Sequence, residues 1–182
     1  MKTTIMEEIK MTVDACGNKV ALKTKIDGEW KGITWKEYYG QIRTTARAFM
    51  ALGLEKGKGL SILGNNCPKW FISDLAGIFA GAVPGGIYTT NSPEQCRYIS
   101  EHSEANIAVV ENSDQLAKFK QIRHQLPDLK AIVLMNGSDA DKNVYSWEEL
   151  SKLAETVTED DLEERIKAQN PDDCCTLIYT SG

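Results

Sequence analysis

The chain has 182 residues, of which 42% are hydrophobic and 26% are charged, and this is the composition of an ordinary globular protein. Its 21 Lys and Arg residues against 26 Asp and Glu residues give a formal net charge of −5, which argues against nucleic acid as a partner, since phosphate binding requires a basic face. Disordered, collagen-like and coiled-coil classes are excluded for the chain as a whole.

The first third of the chain predicts a helix, a β-hairpin and a second, longer helix. Capping boxes at Thr4 and Thr34 each precede apolar residues at helical spacing. Between them, residues 20–26 alternate in polarity and are followed by the turn dipeptide Asp27-Gly28, which is typical of a hairpin. The second helix is expected to end near Gly53, because glycine is common just after a helix C-terminus.

From residue 60 onward, short apolar runs alternate with helical segments. The runs predicted as strands are 60–63, 82–88, 107–110, 129–135 and 174–179. The helices predicted between and after them begin near Pro68, Ser92, Ser113, Ser146 and Thr158. This alternation predicts an α/β fold with a largely parallel sheet and helices on both faces. The final run, 174–179, is expected to be the best buried strand of the sheet.

The cysteine and hydropathy patterns constrain the compartment. Five cysteines at irregular spacing, with no CxxC motif, indicate reduced thiols in a cytoplasmic protein rather than a disulfide framework. The two histidines have no partner at metal-ligand spacing, so a structural zinc site is not expected. The longest apolar run, 75–83, is too short to span a bilayer, so any membrane contact is expected to be peripheral.

Several candidate sites have a structural interpretation that outweighs the functional one. The segment Gly57-Lys58-Gly59 precedes a strand, whereas phosphate loops follow strands, so a turn is favoured. Asn65-Asn66 likewise favours a turn. Close backbone packing or a tight turn is favoured over a ligand-lining loop for three glycines, namely Gly81, Gly85 and Gly86. A solvated helix face is favoured over an acid/base pair for three acidic residues, namely Glu94, Glu101 and Glu104.

A different pattern follows the last apolar run. Thr180, Ser181 and Gly182 are small hydroxyl residues and a glycine directly after a predicted strand. Hydroxyl groups can donate hydrogen bonds to phosphate oxygens, and glycine lets backbone N–H groups approach a phosphate. Taken alone, these three residues fit an ordinary turn at a strand end as well as a phosphate loop.

Four stretches in chain order resemble the adenylate-forming acyl-CoA synthetases, specifically the long-chain "bubblegum" type. They are ITWKEYY at 33–39 with its helix to residue 54, SILGNNCPKWF at 61–71, GIFAGA at 77–82 with GIYTTNS at 86–92, and LIYTSG at 177–182. The segment 144–150 falls between the third and fourth stretches, as in that family. The resemblance implies that residues 1–182 form part of the N-terminal AMP-binding domain, without the small C-terminal domain.

The resemblance implies a function and a site. Such enzymes activate a long-chain fatty acid with ATP and Mg²⁺ and transfer the acyl group to coenzyme A, and Thr180, Ser181 and Gly182 match the first residues of their phosphate loop. The other catalytic groups of the family lie beyond the match, so this chain alone is expected to be inactive. A cytoplasmic location, peripheral to the endoplasmic reticulum or another membrane, is the corresponding expectation.

Two other hypotheses remain open on the sequence. The chain fits a short, non-catalytic isoform that acts as an interaction or regulatory module. It also fits an unrelated flavodoxin-like nucleotide-binding domain, because alternation of strands and helices alone permits that fold.

Overall fold

The computed structural model describes residues 2–180. Its helices are α1 (Ile5–Cys16), α2 (Trp35–Ala51), α3 (Pro68–Phe79), α4 (Pro93–His102), α5 (Ser113–Ile122), α6 (Leu150–Ala154) and α7 (Glu159–Lys167). Short 3₁₀ helices lie at Arg123–Gln125 and Trp147–Glu149. The strands are β1 (Val20–Ile26), β2 (Glu29–Thr34), β3 (Gly59–Leu63), β4 (Val83–Ile87), β5 (Ala105–Val110), β6 (Ala131–Leu134) and β7 (Val144–Ser146).

The helices begin where their local sequences predict. At α2 the backbone N–H of Thr34 donates to the Glu37 carboxylate at 2.8 Å, and the N–H of Glu37 donates back to Thr34 Oγ1 at 3.3 Å. This reciprocal pair satisfies two N–H groups that a helix N-terminus otherwise leaves without partners. Equivalent capping boxes precede α1, α4, α7 and the 3₁₀ turn before α6.

Five strands form one parallel sheet in the order β4-β3-β5-β6-β7. Along β5, Ile107 and Val109 belong to one apolar cluster, whereas Ala108 and Val110 belong to another. The first cluster includes Phe49 of α2, and the second includes Phe119 of α5. The sheet is therefore covered on both faces, and the predicted α/β fold with a parallel sheet is confirmed.

The hairpin β1–β2 forms a separate two-stranded antiparallel sheet. Its turn residues Asp27 and Gly28 both have positive φ, at 52° and 84°, which matches the right-handed twist of the strands on either side. Leu22 and Ile33 are a cross-strand pair that packs against the first apolar cluster. The N-terminal helix and hairpin are thus confirmed as additions to the parallel sheet.

The buried side chain of Asn106 joins three segments of the chain at the amino end of the sheet, opposite the carboxyl ends of the strands. Asn106 in β5 is 2% exposed. Its Oδ1 accepts from the backbone N–H of Glu55, and its Nδ2 donates to the Asp128 carbonyl, both at 3.1 Å. Because both polar ends of the amide have partners, its burial is compatible with a stable core.

The structure differs from the sequence prediction at two strands. The three-residue strand β7 was not predicted, since it is short and mixed in polarity. The expected buried strand at 174–179 is wrong: Ile178 is 82% exposed, and a single bridge between Gly85 and Leu177 joins this segment to β4. The segment lies at the outer edge of the sheet rather than within it, so its apolar side chains are not covered from both sides.

The strand order is the same as that of flavodoxin-like sheets, in which the second strand lies at one edge and the first lies beside it. The order therefore does not separate the flavodoxin-like hypothesis from the acyl-CoA synthetase hypothesis. Within residues 2–180, no helix is long and apolar enough to cross a membrane.

Candidate ligand site at the carboxyl edge of the sheet

The carboxyl ends of β3 and β4 and the segment 176–179 surround a cavity of about 700 Å³. We call it the edge cavity. It is lined by the loop after β3, the first turns of α3, the end of β4 and residues 176–179. In open α/β sheets, ligands bind outside the carboxyl ends of the strands, so this cavity lies where a ligand site is expected.

The segment that leads to Thr180 is attached to β4 by two hydrogen bonds to one carbonyl. The backbone N–H of Leu177 donates to the Pro84 carbonyl at 2.9 Å, and Thr176 Oγ1 donates to the same oxygen at 3.1 Å. Beyond Leu177 the described chain makes no further bridge to β4. The main chain therefore leaves the sheet shortly before the predicted phosphate loop.

Tyr179 holds this departing segment by its side chain. Its hydroxyl lies 2.9 Å from Nδ1 of His102, at the last residue of α4, and the two rings meet edge to face with centroids 5.8 Å apart. The His102 ring stacks in turn on Tyr98, with centroids 6.0 Å apart. Burial raises the pKa of the Tyr179 phenol, so the hydroxyl stays protonated and can act as a hydrogen-bond donor.

Thr180 lies at the end of this segment and is exposed. It lines a second cavity of about 470 Å³, which also has Tyr88, Tyr98 and Arg97 in its wall. The other two predicted site residues, Ser181 and Gly182, lie outside the described residues. The assignment of the three residues as a phosphate loop therefore stays a prediction.

The loops around the edge cavity are braced by residues that the sequence analysis did not single out. The Glu111 carboxylate, just after the end of β5, accepts from the backbone N–H of Asn65 at 2.8 Å and from its side-chain amide at 2.9 Å. Nζ of Lys118 in α5 donates to the Thr89 carbonyl at 2.6 Å and to the Asn91 carbonyl at 2.9 Å. Asn65 is thus a loop residue, as predicted, with its position fixed from the neighbouring strand.

Close packing explains one of the glycines in β4. A Cβ atom at Gly86 would lie 3.2 Å from Cζ2 of Trp70, which is tighter than ordinary van der Waals contact. The indole of Trp70 forms part of the cavity wall, so a glycine here lets it lie against the strand. Gly81 has a φ of +78° in the turn before β4, a conformation that glycine adopts without strain. Close packing at Gly86 and a tight turn at Gly81 agree with the structural interpretation, although Gly86 also lines the edge cavity.

Asp74 is a half-buried carboxyl group in the wall of the edge cavity. Burial raises its pKa from 3.8 to about 6. Asp74 was not among the predicted site residues, although an acidic residue within the apolar stretch that forms α3 is a detectable signal. A carboxyl group with this pKa changes its charge near neutral pH and therefore alters the polarity of the cavity there.

The remaining acidic candidates form ion pairs, and Glu94 and Glu101 lie on helix α4 as predicted, whereas Glu104 lies after the end of α4 in the turn before β5. Arg97 pairs with Glu94 at 2.8 Å and with Glu101, while Glu104 pairs with Lys58 of the glycine-flanked turn before β3. These acidic groups form exposed ion pairs rather than an acid/base pair. Among residues 2–180, no group of three His, Cys, Asp or Glu side chains could hold a metal ion.

Of the three predicted phosphate-loop residues, the structure describes Thr180 alone. Thr180 offers an exposed hydroxyl beside an open cavity, and aromatic side chains line that cavity. No metal ligands can be assigned among the residues that the structure covers, and no described residue is assigned to coenzyme A.

Comparison with known proteins gives the chain a family. A family model described as "AMP-binding enzyme" matches residues 9–182. The chain is 45% identical over 181 residues to the long-chain-fatty-acid–CoA ligase ACSBG2 of Xenopus laevis, covering 98% of this chain and 24% of that protein. It is 42% identical to ACSBG1 of Mus musculus, over 98% of this chain and 25% of that protein. The chain thus spans about a quarter of the length of these relatives.

Solved structures give the same fold at lower identity. The crystal structure of a long-chain-fatty-acid-CoA ligase (FadD1) from Archaeoglobus fulgidus is similar with a TM-score of 0.78, covering 99% of this chain and 35% of that one. At 19% sequence identity this likeness concerns the fold alone. The predicted resemblance to bubblegum-type ligases is confirmed, and an unrelated flavodoxin-like domain is not supported.

Proposed function

The chain belongs to the AMP-binding enzyme family, and from that premise we propose that it forms part of an ATP-dependent long-chain-fatty-acid–CoA ligase. Such a ligase converts a fatty acid, ATP and coenzyme A into acyl-CoA, AMP and pyrophosphate. The family itself implies use of ATP and coenzyme A. The observation that carries the proposal is the exposed Thr180, which ends a segment docked on β4 and lies beside the aromatic-walled cavity.

In this proposal the chain supplies the start of the phosphate-binding loop. Thr180 Oγ1 donates a hydrogen bond to a phosphate oxygen of ATP, and the resemblance assigns the same task to Ser181 and to the backbone of Gly182. A bound Mg²⁺ ion would neutralise part of the phosphate charge. The β4 edge fixes where the loop begins, because Thr176 and Leu177 are both bonded to one carbonyl of that strand.

The test is Thr180→Ala in the full-length protein that carries this sequence. ATP–pyrophosphate exchange with palmitate should lose about tenfold in kcat/KM for ATP, since a hydrogen bond to a charged phosphate is worth about 1.5 kcal/mol or more. Thr24→Ala, on the separate hairpin sheet, is the matched control and should leave the exchange rate unchanged. Equal rates for both variants and the unmodified protein would overturn the proposed role.

The activity of the 182-residue polypeptide on its own is a separate matter. We propose that it is inactive, because the resemblance assigns the other catalytic groups to parts of the family that it does not match. Acyl-CoA formation by the purified polypeptide would refute this. The alternative role as a non-catalytic interaction module predicts a soluble monomer that melts cooperatively, and aggregation in sedimentation experiments would count against that role.

We propose a cytoplasmic enzyme that contacts a membrane peripherally. The five cysteines are all free, which suits a reducing compartment. On the hairpin, Trp30 is 68% exposed and pairs across the strands with Lys25, while Lys23 lies on the same face. An amphipathic indole beside lysines on one face suits an anionic lipid surface, where a long-chain fatty acid would also reside.

A further inference from the structure

We propose that His102 is a positioning residue for the predicted phosphate loop, which begins at Thr180, and that it acts through the side chain of Tyr179. The inference rests on the proposed function, because it assumes that the residues from Thr180 onward contact ATP. It adds a residue from α4 that belongs to none of the stretches carrying the family resemblance.

The main chain just before Thr180 is only weakly attached to the sheet. Leu177 is the last residue that bridges to β4 in the part of the chain that the structure describes, and Ile178 is 82% exposed. The bonds to Pro84 fix where the segment leaves β4, but the exposed Ile178 makes no bridge that would direct the chain beyond that point. Tyr179 directly precedes Thr180; its ring packs against the second apolar cluster, and its hydroxyl and ring both contact His102. The direction in which the chain enters the loop is therefore set by the Tyr179 side chain, which His102 holds at its hydroxyl end.

Helix α4, which carries His102, is firmly attached to the sheet. Helix α4 begins with a capping box at Ser92, and its Cys96 is fully buried in the second apolar cluster. Ser100 forms a buried hydrogen bond of 2.8 Å with Ser61 of the inner strand β3. The helix is thus fixed to an inner strand of the sheet, and its last turn is a stable support for the neighbouring segment.

The contact between His102 and Tyr179 combines a hydrogen bond with edge-to-face ring packing. Nδ1 of a neutral imidazole can accept from the Tyr179 hydroxyl, and Nδ1–H of an imidazolium can donate to it. The stacked ring of Tyr98 fixes the plane of the imidazole. The hydrogen bond and the ring contacts together hold the Tyr179 side chain against the end of α4.

The test uses His102→Ala, His102→Asn and Tyr179→Phe in the full-length protein. Asparagine places an amide atom near the position of Nδ1 and keeps the hydrogen bond, whereas alanine removes it. His124→Ala, an exposed histidine after α5, is the matched control. We expect the alanine and phenylalanine variants to raise the KM for ATP about fivefold with kcat within twofold, and His102→Asn to restore most of the difference.

A second measurement tests the Tyr179–His102 contact in the absence of ATP. Hydrogen exchange of the amides of residues 177–180 should accelerate about fivefold in His102→Ala and Tyr179→Phe, but not in His124→Ala. Unchanged exchange in both variants would overturn the inference, even if Thr180→Ala impairs catalysis. Faster exchange with an unchanged KM for ATP would overturn both the inference and the proposed phosphate role of the loop. If His102→Ala does not fold, Tyr179→Phe decides both measurements.

Discussion

Replacing Asp74 by Asn should make the folded chain more stable at neutral pH. The carboxyl group is half-buried in the wall of the edge cavity, and burial raises its pKa from 3.8 to about 6. Because the folded-state pKa lies above the unfolded value, folding opposes ionisation of this group. The wild-type chain should therefore lose stability relative to Asp74→Asn as the pH rises from about 4 to about 7, and the difference should then stay constant.

The size of the effect follows from the same values. A change in pKa from 3.8 to about 6 corresponds to roughly 3 kcal/mol, at about 1.4 kcal/mol for each pH unit. The side chain keeps part of its contact with solvent, which screens the penalty, so we expect about 1–2 kcal/mol at pH 7.5. At pH 4 the two proteins should be nearly equal in stability, because the wild-type carboxyl is then largely protonated in the folded state.

Urea denaturation of both proteins at a series of pH values between 4 and 8 measures this difference. The control is Glu164→Gln, which removes the same charge from an exposed position of α7. Its stability should parallel that of the wild-type chain across the series. A constant offset between wild type and Asp74→Asn at every pH would refute the reasoning, since it would show that packing rather than ionisation separates them.

Two further predictions concern the core and the hairpin. Asn106→Ala should lower the free energy of unfolding by about 2 kcal/mol in urea denaturation, because it removes a buried side chain together with its hydrogen bonds to two backbone groups. The exposed Asn170→Ala should change it by less than about 0.5 kcal/mol. Trp30→Ala should reduce cosedimentation with vesicles of phosphatidylserine and phosphatidylcholine severalfold. Tyr88→Ala, which removes a similarly exposed aromatic ring, should not, and an equal loss for both would contradict membrane contact through the hairpin.

Helix positions were predictable because their signals are local. A threonine or serine followed three residues later by an acidic or amide side chain places the start of α1, α2, α4 and α7 within a single turn of sequence. The short apolar runs that form β3 to β6 were equally visible, since parallel strands covered by helices are apolar on both sides.

The edge of the sheet was not predictable in the same way. An apolar run such as 174–179 has the same sequence pattern whether a strand pairs on two sides or rests on one edge. The position of this segment depends on a hydrogen bond to the Pro84 carbonyl of β4, which lies about ninety residues earlier in the chain. The same limit applies to the site. Thr180 was predicted from its neighbours in the sequence. The contacts of Glu111, Lys118 and His102 were not, because these residues come from three separate parts of the chain.

The attachment of residues 176–179 to β4 has a consequence for the order of folding. The inner strand β3 pairs with β4 and β5, both of which are made soon after it during synthesis. The segment that leads to Thr180 docks on the Pro84 carbonyl of β4, which is made about ninety residues earlier, and parallel pairings over such distances form late. The segment that leads to Thr180 is thus organised after β3, β4 and β5 have paired, on a sheet edge that those strands have already formed.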